Sequence, residues 1–232
     1  MLDIDAVAFD LDGTLYPNYR FYIRLFPFAV RHHRLLCAFG KARAILRSTR
    51  VGDPLYEQEF YEAQAFLMAH IMDRHADKPE VAAMRESIER LIYRGWEPLF
   101  KNVRLFPHVP EVLAALKRKG LKLGLLSDFP LKQKLIALGL SGMWDAALCS
   151  EEIGRLKPDP KPFMALAETL GTCPARILYA GNSRRYDVAG AAHAGMKTAL
   201  KVPFPLHYGH TPVDDKNFVF CDYRYLCDYV IT

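Results

Sequence analysis

The chain of 232 residues, with 51% hydrophobic and 25% charged side chains, is long enough for one large domain or a domain with an insert. It contains no uncharged apolar run of about 18 residues, so we expect no transmembrane span and no stable membrane insertion. Five cysteines without a C-x-x-C pair, and an acidic N-terminus unlike a signal peptide, favour reduced thiols and a cytoplasmic location over a disulfide framework or a zinc site.

The net charge of +5 conceals a strongly basic segment between residues 20 and 50. This segment carries +8 and the rest of the chain −3, because all of its charged residues are basic: Arg20, Arg24, Arg31, Arg34, Lys41, Arg43, Arg47 and Arg50. Three interpretations stay open: a solvated face of helices, a field that attracts an anionic substrate, or docking to an acidic membrane or nucleic acid. No nucleic-acid-binding motif accompanies the charge, so no nucleic-acid partner is expected.

Predicted strands and helices alternate over most of the chain. The first strand is residues 7–9. Later strands are expected at residues 121–126, 144–149, 176–180, 197–202 and 218–220. Helices that end at glycine are expected between them, at residues 109–119, 130–138, 161–170 and 187–194. This alternation predicts an α/β fold with a Rossmann-like parallel sheet and helices on both faces.

Residues 17–99 interrupt the alternation with a purely helical pattern. One helix is expected to begin at Asp53-Pro54 and to present the apolar positions Phe60, Ala63, Leu67 and Ile71 on one face. A second is expected to begin near Pro79 and to end at Gly95. We therefore expect an α/β core of residues 1–16 and 100–232, with residues 17–99 inserted as an all-helical cap domain.

Two carboxylates follow the first strand in residues 10–14, Asp-Leu-Asp-Gly-Thr. Asp10 and Asp12 can both face one cleft only if the chain turns just after them, and Gly13 permits that turn. The strand in front places both acids at the carboxyl end of a strand. Ligands bind at that edge in open α/β sheets.

Further polar groups follow the later strands in order. Ser127 follows the second strand, and Lys157 lies in a Lys-Pro-Asp-Pro sequence. Asn182 and Asp187 follow the strand at residues 176–180. Because parallel strands end at a common edge, these groups should meet Asp10 and Asp12 there. Two acids, a hydroxyl, an ammonium and a metal-binding loop are the parts that phosphoryl transfer requires.

Taken together, these motifs resemble those of the haloacid dehalogenase superfamily, in the subgroup with a helical cap after the first motif. The resemblance runs from Val7 to about Val202, although the cap matches only in length and helical character. It implies a Mg²⁺-dependent phosphatase that hydrolyses a small phosphorylated metabolite through an aspartyl-phosphate intermediate. It does not decide between a monomer and a homodimer.

The resemblance also implies a role for each matching catalytic residue. Asp10 matches the nucleophile, and Asp12 matches the general acid/base. An ordinary Asp is almost wholly ionised at neutral pH, so the pKa of Asp12 would have to rise when substrate is bound. Ser127 and Lys157 match the groups that hold the phosphoryl oxygens and neutralise their charge.

The implied metal site consists of Asp10, Asp12 through its carbonyl, Asn182 and Asp187. The family usually has an acid in place of Asn182, so this chain has one negative charge fewer and is expected to bind Mg²⁺ more weakly. Asp187 is expected either to ligate the metal or to orient Lys157.

Three further residues, Thr14, Tyr16 and Asp128, are predicted to contact the substrate. The presence of an acid at position 12 indicates a phosphate-ester hydrolase or a sugar phosphomutase, because the dehalogenases of the superfamily lack an acid at that position. The other alternative is a catalytically weakened protein that binds a partner through its basic cap.

Overall fold

The sheet at the centre of the protein has seven strands in a computed structural model that describes residues 2–73, 76–203, 210–214 and 217–231. The strands are β1 (Ala6–Phe9), β2 (Lys122–Ser127), β3 (Ala146–Cys149), β4 (Ile177–Gly181), β5 (Lys197–Lys201), β6 (His210–Asp214) and β7 (Asn217–Phe220). Their order is β3-β2-β1-β4-β5-β7-β6, and every pair is parallel except β6 with β7. The chain leaves β1 toward β2 and later returns to β4 on its other side. This makes the carboxyl end of β1 a topological switch point.

Eleven helices accompany the sheet in the described part of the chain. They are α1 (Asn18–Arg31), α2 (His33–Ser48), α3 (Pro54–Glu57), α4 (Phe60–Ile71), α5 (Lys78–Ile88), α6 (Arg94–Trp96), α7 (Val109–Arg118), α8 (Lys132–Leu138), α9 (Pro160–Leu170), α10 (Ala189–His193) and α11 (Tyr223–Ile231). A π turn at Glu89–Tyr93 joins α5 to α6, and 3-10 turns lie at Glu97–Phe100 and Pro174–Arg176. None of these helices is both long and apolar enough to cross a bilayer.

Both faces of β1 are buried, as the alternating pattern predicts for a central parallel strand. Val7 and Phe9 belong to a hydrophobic cluster with α7 and α11, whereas Ala6 and Ala8 belong to one with α9 and α10. A Cβ atom at Gly124, beside Ala8 in the sheet, would lie only 3.1 Å from Leu170. Small residues on this face therefore let α9 approach the strands closely. The predicted α/β fold with helices on both faces is confirmed.

The helices α1 to α6, here called the helical insert, come between β1 and β2 in the chain. Most of their buried apolar residues form a cluster of their own, which includes Phe39, Met68, Met84 and Ile92. Phe21 of α1 instead belongs to the cluster that contains Val7 and Phe9. The insert therefore has a separate hydrophobic core as well as a direct attachment to the α/β unit.

Two of the expected helix boundaries in this region are wrong. The helix expected from Asp53 is divided in two, because Glu59 caps a new helix by accepting the backbone N–H of Glu62. The helix expected to stop at Gly95 continues past it through the π turn and α6. Elsewhere, β6 and α11 are additional elements that the sequence pattern did not predict.

Candidate active site

The two carboxylates of the first motif occupy the loop directly after β1. Asp10 continues the strand by donating its N–H to the carbonyl of Ala180, and the residue is only 5% exposed. Gly13 has φ +86°, and a Cβ atom there would lie 2.2 Å from the amide nitrogen of Asn182. Glycine is therefore required both for the turn and for the close approach of the loop after β4.

Thr14 holds the Asp10 side chain in place. It is fully buried, and its hydroxyl donates to Asp10 Oδ2 at 2.7 Å. Its carbonyl accepts a hydrogen bond from the hydroxyl of Tyr223, which anchors the loop to α11. The Thr14 side chain is enclosed and bonded to Asp10, and the substrate contact predicted for it stays a prediction.

Lys157 lies between two buried carboxylates. Its Nζ is 2.7 Å from Asp10 Oδ1 and 2.6 Å from Asp187 Oδ1, and the residue is 3% exposed. Burial disfavours the ammonium, but the two acids outweigh it and raise the pKa of Lys157 well above its usual value. Burial raises the pKa of Asp10 to about 7, although Lys157 acts in the opposite direction. Lys157 is thus a fixed positive charge beside the candidate nucleophile.

Asp187 is fixed on both of its oxygens. Oδ1 accepts from Lys157, and Oδ2 accepts from the backbone N–H of Ser183 at 2.9 Å. A Cβ atom at Gly181 would lie 2.3 Å from that of Asp187, so glycine makes room for this side chain. These bonds favour the expectation that Asp187 orients Lys157 over the expectation that it ligates a metal.

Asp12 is surrounded by hydrogen-bond donors. Lys134 Nζ lies 2.7 Å from both of its oxygens, the Ser127 hydroxyl donates at 3.0 Å, and the Tyr16 hydroxyl donates to Oδ1. Burial acts to raise the pKa of Asp12, but Lys134, Tyr16 and Ser127 together lower it below the usual value. The resemblance implies that the pKa of Asp12 rises when substrate is bound. These donors favour the carboxylate form of Asp12, the form that can accept a proton.

Lys134 is a site residue that the sequence analysis missed. It lies in the first turn of α8, the helix that follows the Ser127 loop, and it is only 7% exposed. A lysine in the first turn of a helix opposes the helix dipole, so its position was a sign of another role. Tyr16 is 1% exposed and its hydroxyl donates to Asp12. The substrate contact predicted for Tyr16 stays a prediction.

Asp128 connects the core to the helical insert. Its Oδ2 accepts from Arg47 at 2.9 Å, and its Oδ1 accepts from the backbone N–H of Lys157 at 3.1 Å. Its carbonyl accepts from Arg43, whose guanidinium also forms a buried ion pair with Glu151. Asp128 thus contacts two arginines of α2, and the substrate contact predicted for it stays a prediction.

Two members of the basic segment therefore point inward. Arg43 is 3% exposed and Arg47 is partly buried, whereas the other six basic residues are exposed. The interpretation as a solvated face holds for those six and is wrong for Arg43 and Arg47. Their spacing of four residues on α2 places both on one helix face, and this was the pattern in the sequence that could have identified them.

Arg43→Met is expected to lower the free energy of unfolding by about 3–5 kcal/mol, because it leaves the buried Glu151 carboxylate unpaired. Glu151 is 1% exposed, and its second oxygen has no partner among the described residues. Urea denaturation of this variant and of Arg34→Met, an exposed change on the same helix, measures the difference. Adding Glu151→Leu to Arg43→Met should recover most of the loss. Equal stability of Arg43→Met and Arg34→Met would contradict the assignment.

The predicted metal ligands offer only oxygen atoms, from the Asp10 carboxylate, the Asp12 carbonyl and the Asn182 amide. Asn182 lies against Gly13, so all three belong to adjoining loops at one edge of the sheet. No cluster of three or more His, Cys, Asp or Glu side chains able to hold a metal is found among the described residues. Mg²⁺ suits such a place, because it takes few carboxylates and keeps waters or phosphate oxygens as its other ligands. The residues present therefore fit Mg²⁺.

Comparison with known proteins agrees with this arrangement. A family model described as a haloacid dehalogenase-like hydrolase matches residues 4–195. The phosphoglycolate phosphatase of Escherichia coli is 30% identical over 218 residues, which cover 89% of this chain and 84% of that protein. The glyceraldehyde 3-phosphate phosphatase of Methanothermobacter thermautotrophicus is 29% identical over 207 residues, with 85% of each chain covered.

Solved structures show the same fold. A 2-haloacid dehalogenase from Pseudomonas syringae superposes with a TM-score of 0.65 at 22% identity, over 98% of both chains. At that identity the likeness concerns the fold alone. Because the family model spans most of the sequence, this chain belongs to the haloacid dehalogenase-like hydrolase family and is an enzyme of that family.

Proposed function

We propose that this hydrolase is a Mg²⁺-dependent phosphatase that cleaves small phosphomonoesters through an aspartyl-phosphate on Asp10. The observation that carries the proposal is the presence of Asp12, hydrogen-bonded to Ser127 and Lys134, two residues from the candidate nucleophile. A halide leaves without a proton, whereas an alkoxide leaving group needs one, so a second acid supports ester hydrolysis over dehalogenation. Relatives named as phosphatases support the same choice.

In the first step, Asp10 attacks phosphorus and the bond from phosphorus to the ester oxygen breaks. Lys157 lies within 2.7 Å of Asp10 and stabilises negative charge on the carboxylate and on the transferring group. Mg²⁺, held by Asp10, the Asp12 carbonyl and Asn182, would supply further positive charge to the phosphoryl oxygens. Asp12, protonated when the substrate binds, gives its proton to the departing alkoxide.

In the second step, water attacks the phosphoryl group and Asp10 leaves as a carboxylate. Asp12, deprotonated by the first step, takes the proton from that water. Lys134, Ser127 and Tyr16 stabilise this ionised form of Asp12. The donors around Asp12 therefore favour hydrolysis of the intermediate, and the substrate's phosphate charge is needed to favour the acid form.

Phosphate release from an aryl phosphate and a panel of small phosphorylated metabolites, with and without millimolar Mg²⁺, tests the proposal. We expect turnover that requires Mg²⁺ and is removed by EDTA. Analysis of the products separates a phosphatase, which releases phosphate, from a sugar phosphomutase, which yields an isomeric phosphosugar. A folded protein without turnover at any Mg²⁺ concentration would overturn the proposal and direct attention to binding by the basic segment.

Asn182→Asp is expected to lower the Mg²⁺ concentration for half-maximal activity by about tenfold, because it adds a negative charge beside the proposed metal position. Titration of activity with Mg²⁺ measures the change. Asn102→Asp, an exposed substitution with the same change in charge, is the control and should leave the value unchanged. If the variant and the wild type reach half-maximal activity at the same Mg²⁺ concentration, Asn182 is not a metal ligand.

A further inference from the structure

A cavity of about 480 Å³ opens directly beside Asp12, between the helical insert and the core. Its wall includes Asp12 and Lys134 on the core side and residues of α1, α2 and α6 on the other. Asp12 is the proposed proton donor to the leaving oxygen, so the alcohol part of a bound ester must begin at this wall. Cavities of this volume accommodate an organic group of many atoms, well beyond a two- or three-carbon acid.

Eight of the residues that line the cavity are aromatic, and their rings contact one another. Phe21 stacks on Phe100 with ring centres 4.8 Å apart, and Trp96 lies 5.7 Å from Phe21. Phe129 lies 6.2 Å from Phe39 and 6.1 Å from Trp96, which continues the set of rings across the insert and the core. This surface offers a ligand apolar contact on several sides and releases water when it is covered.

The charged residues of the lining do not suit a second anionic group on the substrate. Lys134 already pairs with both oxygens of Asp12, and the other lysine of the lining, Lys132, is exposed. Glu89 and Glu97 also belong to the lining and would repel a carboxylate. A small acid phosphate would therefore lose hydration in this cavity without gaining a buried ionic partner.

We propose that the enzyme's substrate is the phosphomonoester of a bulky apolar alcohol, an aromatic or long alkyl group that occupies this aromatic cavity. The inference rests on the proposed phosphatase activity and adds the class of leaving alcohol. The helical insert supplies most of the apolar wall of the cavity. Phosphate binds at Asp10 and Lys157, and the ester oxygen faces Asp12.

A series of n-alkyl phosphates from ethyl to octyl tests the class of alcohol, because these leaving groups differ mainly in apolar length. We expect kcat/KM to rise about two- to fourfold for each added methylene until the cavity is filled. 2-Phosphoglycolate and glycerol phosphate should be poorer substrates than octyl phosphate. A flat or falling series, together with good turnover of the two polar esters, would overturn the inference and leave the phosphatase proposal intact.

Gly40→Trp places a large side chain in the cavity from α2. Gly40 belongs to the lining, and a Cβ atom there meets nothing within 4 Å, so the position is open for substitution. We expect kcat/KM for octyl phosphate to fall at least about tenfold while ethyl phosphate changes less than about twofold. Ala44→Trp, an exposed change on the same helix, is the matched control, and Gly40→Leu serves if the larger substitution disturbs folding.

The outcomes separate the two proposals. No turnover of any ester with Mg²⁺ defeats the phosphatase proposal itself. If Gly40→Trp and Gly40→Leu reduce the turnover of short and long esters equally, the cavity assignment is wrong but the phosphatase proposal stands. Selective loss of the long ester, without loss in Ala44→Trp, supports it.

Discussion

Asp10→Asn is expected to abolish phosphate release, with a fall in kcat of about 10⁴-fold or more at saturating Mg²⁺. An amide is a far weaker nucleophile than a carboxylate, and it also removes one charged ligand from the proposed metal site. The substitution keeps the shape of the side chain, but its amide has a single oxygen in place of the two that accept from Thr14 and Lys157. Lys157 retains its contact with Asp187. Steady-state phosphate release measures the loss.

The control for that experiment is Asp228→Asn, an exposed change of the same chemistry on α11 that should leave kcat unchanged. Mass spectrometry of the acid-quenched reaction adds a second readout. We expect one phosphoryl group on the Asp10 peptide in the wild type and none in the variant. A variant that keeps a tenth or more of wild-type activity would show that Asp10 is not the nucleophile.

The α/β core could be predicted because local patterns determine its elements. Glycines end the helices, apolar runs mark the buried strands, and polar residues follow the strands at the edge where ligands bind. Asp10, Asp12, Ser127 and Lys157 converge in the structure through the hydrogen bonds that join them. Their order along the chain and the parallel sheet together were enough to bring them to one place.

The parts that sequence reasoning missed depend on contacts between distant segments. Lys134 pairs with an acid 122 residues away, and Arg43 pairs with one 108 residues away. The local signals are a lysine in the first turn of α8 and two arginines four residues apart on α2, and they do not identify the distant acids with which these residues pair. Gly95 illustrates the opposite error: helix packing outweighed the low helix propensity of one glycine, so the segment stayed helical. Tertiary contacts therefore determine the structure at Lys134, Arg43 and Gly95. One of these contacts, between Lys134 and Asp12, belongs to the proposed acid/base.

Asp12→Asn is expected to reduce kcat by about 10²–10⁴-fold for alkyl phosphates, because the leaving alkoxide loses its proton donor. An aryl phosphate with a nitrophenolate leaving group needs no proton, so its first step should be nearly preserved. The second step still lacks a base to deprotonate the attacking water. We therefore expect the variant to release one nitrophenolate per enzyme in a rapid burst and then to turn over slowly, which stopped-flow absorbance would detect.

Tyr16→Phe is a milder change at the same site, to be compared with Asp12→Asn in the burst experiment. It removes one hydrogen-bond donor to Asp12 and leaves the carboxylate and Lys134 in place. It should slow alkyl phosphates less than Asp12→Asn does and give no burst. If Asp12→Asn slowed aryl and alkyl esters equally and without a burst, Asp12 would be a structural partner of Lys134 rather than the acid/base. A burst confined to Asp12→Asn requires both an intermediate on the enzyme and a base for its hydrolysis, so it would support the two steps of the proposed mechanism together.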